Sequence, residues 1–264
     1  MPWWLRVFLI VNVVQDAAIG FSGLVFPAHI VIPLKGLSPF NARFVASLYV
    51  GGGVVILLAA LTRKAIDTRL ALFSLLAITV LVLLMTFVYW GQFTVDGVPW
   101  LWLTTYVVDP VVACFALIWL GMIRAGAPGR HRLTVLFVAQ AVVFGGAGIA
   151  LLLASDAVLG AWPWTVTRLL ARVYAAFLLA FAVGAVLAAY ERRPAAVRPF
   201  LVGSLALLAC SLGVSLLHLA RFHDGPGRWV WFTVHAVGLG SFAVAVATLG
   251  RGAGERARLA TAEP

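Results

Sequence analysis

Residues 69–90 read RLALFSLLAITVLVLLMTFVYW, and after Arg69 the stretch carries no charge. A helix rises about 1.5 Å per residue, so such a run crosses the roughly 30 Å of a bilayer's hydrocarbon core. Seven further runs of this kind lie at approximately 4–26, 42–62, 100–123, 132–154, 163–190, 198–220 and 229–249. All are continuously apolar, where the strands of a membrane barrel would alternate apolar and polar residues. The whole chain agrees: 264 residues are 63% apolar and 11% charged, with a mean hydropathy of +1.06. A soluble domain holds roughly 45–50% apolar and about 25% charged residues, so a soluble fold is excluded. The fold class is an all-α integral membrane protein of eight transmembrane helices.

A net charge of +10 could suggest nucleic acid, but no basic cluster lies on a soluble segment. The basic residues instead punctuate the spans. Arg6, Arg63, Lys64, Arg69, Arg124, Arg130, Arg132, Arg192, Arg193, Arg198, Arg251, Arg256 and Arg258 fall on one side, and Lys35, Arg43, Arg168, Arg172, Arg221 and Arg228 on the other. The positive-inside rule then puts both termini in the cytoplasm of a plasma membrane, and the Arg- and Ala-rich usage suits a bacterial inner membrane. Trp90, Trp100, Trp102, Trp162, Trp164, Trp229 and Trp231 form the outer half of an aromatic belt, with Trp3, Trp4 and Trp119 at the inner boundary. Residues 1–30 read as a retained helix, since Gln15 and Asp16 interrupt what would be a signal-peptide core. Residues 252–264 lack periodicity and read as a flexible cytoplasmic tail.

The second half echoes the first. At a spacing of 125, Gln15 meets Gln140, Gly20 meets Gly145, Arg43 meets Arg168 and Tyr49 meets Tyr174. At a spacing of 129, Arg69 meets Arg198, Phe93 meets Phe222, and Trp100, Trp102 and Thr104 meet Trp229, Trp231 and Thr233. The chain divides into a four-helix repeat over 1–126 and another over 127–251. An even number of spans makes the two parallel, as in some secondary transporters, where sites lie between repeats. Duplication of a four-helix unit without transport explains the same pattern.

A charge inside the hydrocarbon costs roughly 2.5–3.5 kcal/mol on insertion scales, so each one needs a reason. Asp16 lies mid-span, and Asp109 precedes Pro110, which leaves the Tyr106 carbonyl without its usual donor. Arg43, Arg168 and Arg172 lie at outer span ends, the last two one turn apart on a shared face. Three cations facing Asp109 and Asp16, with Tyr106 and His235 nearby, would make an outer-half pocket for a small, lipid-like anion. The same charges could instead neutralise one another between helices, or snorkel to headgroups. His218 and His235 lie at similar depth and form a weak candidate for axial haem ligation. Their repeat counterparts are Tyr89 and Tyr106, which suits ordinary interface residues equally. The glycines at 51–53 and at 145, 146 and 148 read as helix-packing points. Cys114 and Cys210 read as small core residues, and PAHIVIPLKGLSPF (27–40) as a piece capping the outer face.

No phosphate loop, metal-ligand helix or serine elbow is visible, so no catalytic residue or cofactor is assigned. Two functions fit: a protein binding or transporting an amphiphile, and a non-catalytic subunit of a larger membrane complex; a haem or quinone redox subunit is weaker. The partners are membrane lipids, together with other membrane proteins or a second copy, and no nucleic acid. The topology predicts that a fluorescent-protein fusion at the C-terminus fluoresces while an alkaline-phosphatase fusion there is inactive; the reverse pattern overturns it.

Overall fold

A computed structural model describes residues 1–30, 32, 34, 37–92, 100–123 and 129–262, without the side chains of 101 and 250–262. Lys35, Phe93, Arg124, the boundary at 126–127 and the side chains of Arg251, Arg256 and Arg258 lie outside the described residues. The described residues are all-helical, 83% helix with no strand. The helices are α1 Trp3–Val25, α2 Pro39–Ala60, α3 Arg69–Val88, α4 Trp100–Trp119, α5 Thr134–Leu153, a short α6 Asp156–Ala161, α7 Arg168–Ala189, α8 Pro194–Leu217 and α9 Pro226–Ala262. Eight of them, all but α6, are long and apolar enough to cross a membrane, as a polytopic membrane protein requires. Pro110 leaves α4 unbroken. Helix α9 runs on to Ala262, so the segment read as a tail without periodicity is helical in backbone.

Polar side chains set the helix starts. Ser38 Oγ accepts the Asn41 N–H at 3.2 Å ahead of Pro39, and Thr167 Oγ1 accepts the Leu170 N–H at 3.2 Å. Each satisfies one of the donors that a first turn leaves free. Helix α5 ends on Ala154, which takes a left-handed φ of 45° while its N–H returns to Ala150 O.

The long helices form two rows. In one row α1 packs on α2, α2 on α8 and α8 on α9; in the other α4 packs on α3, α3 on α7 and α7 on α5. The α2–α8 contact is close because a Cβ on Gly203 would stand 2.9 Å from Gly51 O, and one on Gly51 would stand 2.6 Å from Leu207 Cβ. Of the second glycine group, only Gly148 is tightly packed, against Leu179. The start of α1 meets the end of α2 at what we call the basic end, where the Met1 ammonium donates to Arg63 O at 2.7 Å. At the opposite, tryptophan end, Trp102 Nε1 donates to Thr86 Oγ1 at 3.1 Å and Trp231 Nε1 donates to Ser215 Oγ at 3.0 Å.

Several tryptophans are not belt residues. Trp164 is 1% exposed, its ring about 5 Å and edge-on from Phe40, Phe44, Phe222 and Trp231, and Trp102 is buried as well. Edge-to-face packing of rings explains the inward turn. Trp90, Trp100 and Trp229 do face outward. Neither cysteine is a core residue, since Cys114 is exposed and Cys210 half-buried.

At the basic end Glu191 ties three elements. It is buried, accepts Arg193 Nε at 2.9 Å and Arg193 NH2 at 2.8 Å, and lies 3.9 Å from Arg69 NH1. Arg69 Nε in turn donates to Met122 O at the end of α4 at 2.7 Å. Burial acts to raise the Glu191 carboxyl, but the hydrogen bonds and charge of Arg193, with Arg69, outweigh it and hold it below the ordinary glutamate value. A depressed carboxyl stabilises the fold above its unfolded pKa and ceases to do so as pH falls through the folded one. Glu191→Gln therefore lowers stability at neutral pH by roughly 3 kcal/mol, the cost of breaking a buried pair. In detergent, the difference in Tm from wild type should close as pH is lowered below about 4; a difference independent of pH contradicts this role.

Candidate functional site

The space between the rows opens into a cavity of about 550 Å³, bounded by α1, α2, α3, α4 and α7 with Phe200 of α8. Asn12, Gln15 and Asp16 reach it from α1, and Thr105, Tyr106 and Asp109 from α4. Spacings of three and four put each set on one helix face, so a single rotation of each helix presents all three. Tyr49 adds its hydroxyl from α2, Ser74 and Thr79 theirs from α3, and Phe177, Phe181 and Phe200 form an aromatic wall.

The polar contacts are few. Asn12 Nδ2 donates to Asp109 Oδ1 at 3.4 Å and to Phe8 O at 3.1 Å, and Gln15 Nε2 donates to Thr105 Oγ1 at 3.2 Å. The Tyr49 and Tyr106 hydroxyls share one hydrogen bond at 2.7 Å. Asp109 is buried, and Asp16 rests against the bare face of α2, where a Cβ on Gly53 would stand 3.0 Å from Asp16 Cβ. Among the described residues no arginine, lysine or histidine lines this space. Two carboxylates thus face one low-dielectric cavity to which the described residues bring no counter-charge.

The arginines predicted to face Asp109 are engaged elsewhere. Arg43 Nε donates to Leu24 O at the end of α1 at 3.0 Å, and its NH1 lies 2.9 Å from His218 Nε2. Arg172 Nε donates to Leu152 O at the end of α5 at 3.0 Å, and its guanidinium stacks 5.2 Å from the centre of the Tyr89 ring. Arg168 pairs with Asp156 at 2.7 Å on the surface, both side chains well exposed. Arg168 and Arg172 share a helix turn but not a target. The physical reason is the helix C-terminus: its last carbonyls lack intrahelical donors and attract cations, so Arg43 and Arg172 each serve the end of the preceding long helix.

The histidines do not form a pair either. His218 Nε2 accepts from Arg43. His235 is buried, with Nδ1 donating to Trp231 O at 2.9 Å and Nε2 3.0 Å from Ser211 Oγ. Each would have to give up its Nε2 partner to ligate iron, so the two do not fit axial haem ligation. His235 lines a second cavity of about 230 Å³ beside α5, α8 and α9, walled by Phe144, Trp162, Leu207 and Trp231.

Of the predicted residues, Asp16, Asp109 and Tyr106 come together; Arg43, Arg168, Arg172, His218 and His235 do not join them. Asn12, Gln15, Thr105 and Tyr49 complete the group, and the polar spacing around each aspartate is the signal that points to the first three. Comparison with known protein families, with characterised proteins and with solved structures finds no match to this chain.

Tyr49→Phe and Tyr106→Phe each leave one buried hydroxyl without its partner, at a cost of roughly 1–2 kcal/mol. The double variant should cost less than the sum of the singles in thermal unfolding, because the lost bond is shared. Strict additivity contradicts the pairing.

Proposed function

We propose that the chain is an eight-span protein of a plasma membrane, bacterial by composition, that binds and moves a small cationic amphiphile in the cavity between its rows. The observation that carries this reading is the pair of carboxylates, Asp16 and Asp109, facing one space that no basic side chain among the described residues lines. An uncompensated charge in hydrocarbon is costly, so a cation from the ligand, or protons in its absence, completes the site. The ligand is therefore a cation, in place of the anion the arginines suggested. Apolar walls at Val55, Ile56, Ile78 and Phe181 suit the rest of an amphiphile.

Two parallel four-helix repeats and cytoplasmic termini belong to the same proposal. The contacts that support the repeat recur at 129 residues. Thr86 Oγ1 bonds Val82 O and receives Trp102 Nε1, as Ser215 Oγ bonds Ser211 O and receives Trp231 Nε1. Ser38 caps α2 as Thr167 caps α7, and Arg43 ties the end of α1 as Arg172 ties the end of α5. This register sets Arg43 opposite Arg172, whereas matching rare residues pairs it with Arg168. Exchanging the repeats also carries each row's contacts onto the other row's.

A structural subunit would need the arginine ties but not a cavity with bare carboxylates. The test uses the fluorescent primary amine monodansylcadaverine, with its N-acetylated form as a neutral control, on protein in nanodiscs. The amine is expected to bind and the acetylated form not to. Asp16→Asn with Asp109→Asn should weaken binding by about tenfold or more, equivalent to about 1.4 kcal/mol. Equal binding of both dyes, or no effect of the double substitution, contradicts the reading and favours the structural subunit.

A further inference from the structure

We infer that the cavity takes its ligand from the bilayer through the seam between α1 and α4, so that the ligand is a membrane-dissolved long-chain amine. The inference rests on the cation-binding reading of the cavity and concerns where the cation comes from.

Helices α1 and α4 each stand at the end of a row, so each packs closely on one row neighbour, and the cavity lies behind them. At the basic end they meet through apolar side chains. Leu5, Leu9, Ala113, Ala116 and Leu117 are all at most 1% exposed, and Trp4 packs on Phe115 with ring centres 5.7 Å apart. This cluster closes the floor. One turn further along α1 the joint changes from interlocked apolar side chains to two polar bridges, Asn12 to Asp109 and Gln15 to Thr105. Beyond these, Ala18 lines the cavity and is itself exposed, and Val14, 63% exposed, stands on the same flank. On α4, Val107, Val108 and Val111 are also exposed. The outer surface of the seam is thus apolar and suited to lipid, while its inner surface carries the amide and hydroxyl bridge and the two carboxylates.

The tryptophan end offers less access. After α1 the chain turns back through Pro27–His29, and Ile30 and the buried Ile32 cover the cavity from that side. Among the described residues, the lateral seam is where the cavity meets the surface with only hydrogen bonds to part. A neutral long-chain amine dissolves in the bilayer, where a water-borne cation does not. Passing Gln15 and Thr105, it takes a proton from the Asp16–Asp109 pair and becomes an ammonium between them. Its tail lies along the aromatic wall or trails through the seam.

The test uses Gln15→Cys with Thr105→Cys in a chain whose own cysteines are replaced by serine, reconstituted in vesicles and bridged with a short bifunctional methanethiosulfonate reagent. Hexadecylamine is then supplied only in the vesicle lipid, and the bound fraction is read by native mass spectrometry after mild extraction. The unbridged protein should carry the amine. Bridging should lower the bound fraction about tenfold, and dithiothreitol should restore it. Equal loading of bridged and unbridged protein overturns the lateral route while leaving the cavity's preference for cations intact. Failure of the wild type to carry the amine, together with no response to Asp16→Asn plus Asp109→Asn, overturns the cation site itself. Ala18→Trp, which fills the seam without touching the bridge, serves as an independent second variant. It should slow loading by a similar factor while leaving Tm within a few degrees of wild type, and unchanged loading in a folded Ala18→Trp protein also overturns the route.

Discussion

In hydrocarbon a charge without a partner is the most expensive feature a protein can hold, and the arrangement of this chain follows from where its charges find partners. The helices satisfy their own backbone groups except at their ends. Arg43 and Arg172 attend to those ends, each giving its Nε to a carbonyl of the long helix before it, and Glu191 gathers Arg193 and Arg69 at the basic end. These four arginines are thereby engaged at the edges of the bundle. Asp16 and Asp109 face a cavity into which none of these arginines reaches, and this imbalance is the ground for proposing a cation there.

The row architecture accounts for the two cavities described above and for the acidity of the first. The rows touch at their centre, where a Cβ on Gly184 of α7 would collide with Phe200 of α8, and they separate toward their end helices. One separation lies behind α1 and α4, the other beside α5 and α9. In the register the hydrogen bonds follow, Tyr106 corresponds to His235 and Asp109 to Gly238. Asp16, shifted by 128 at the first helix, corresponds to Phe144, which walls the second cavity. If the halves arose by duplication, they kept the scaffold and diverged in the two positions that carry charge.

The spans were legible because hydropathy over twenty residues integrates many weak signals, and the helix bounds fall within a few residues of it, apart from the late start of α7 and the extension of α9. Asp16, Asp109 and Tyr106 were legible for the opposite reason: an acid in an apolar run has no ordinary explanation. The arginines misled. Their positions at span ends were correct, but a long side chain reaches several angstroms in any direction, and periodicity does not say whether it meets a cavity, a headgroup or a neighbouring carbonyl. Trp164 misled similarly, because the segment that bears it folds back among rings contributed by Phe40, Phe44, Phe222 and Trp231, which no local pattern joins. Tyr49 stands out in the sequence as a repeat match to Tyr174 but not as a cavity residue, since its partner hydroxyl lies on another helix.

The central claim is that Asp16 and Asp109 hold a cation in the cavity and hold protons when it is absent. Infrared difference spectroscopy on the protein in lipid, before and after adding a long-chain amine, reads this directly through the carbonyl stretch of protonated carboxyl groups. The account predicts that this absorption falls when the amine binds, that carboxylate absorption rises in its place, and that both changes vanish in the variant carrying Asn at 16 and 109. A spectrum in which bound amine leaves the carboxyl bands unchanged would contradict it.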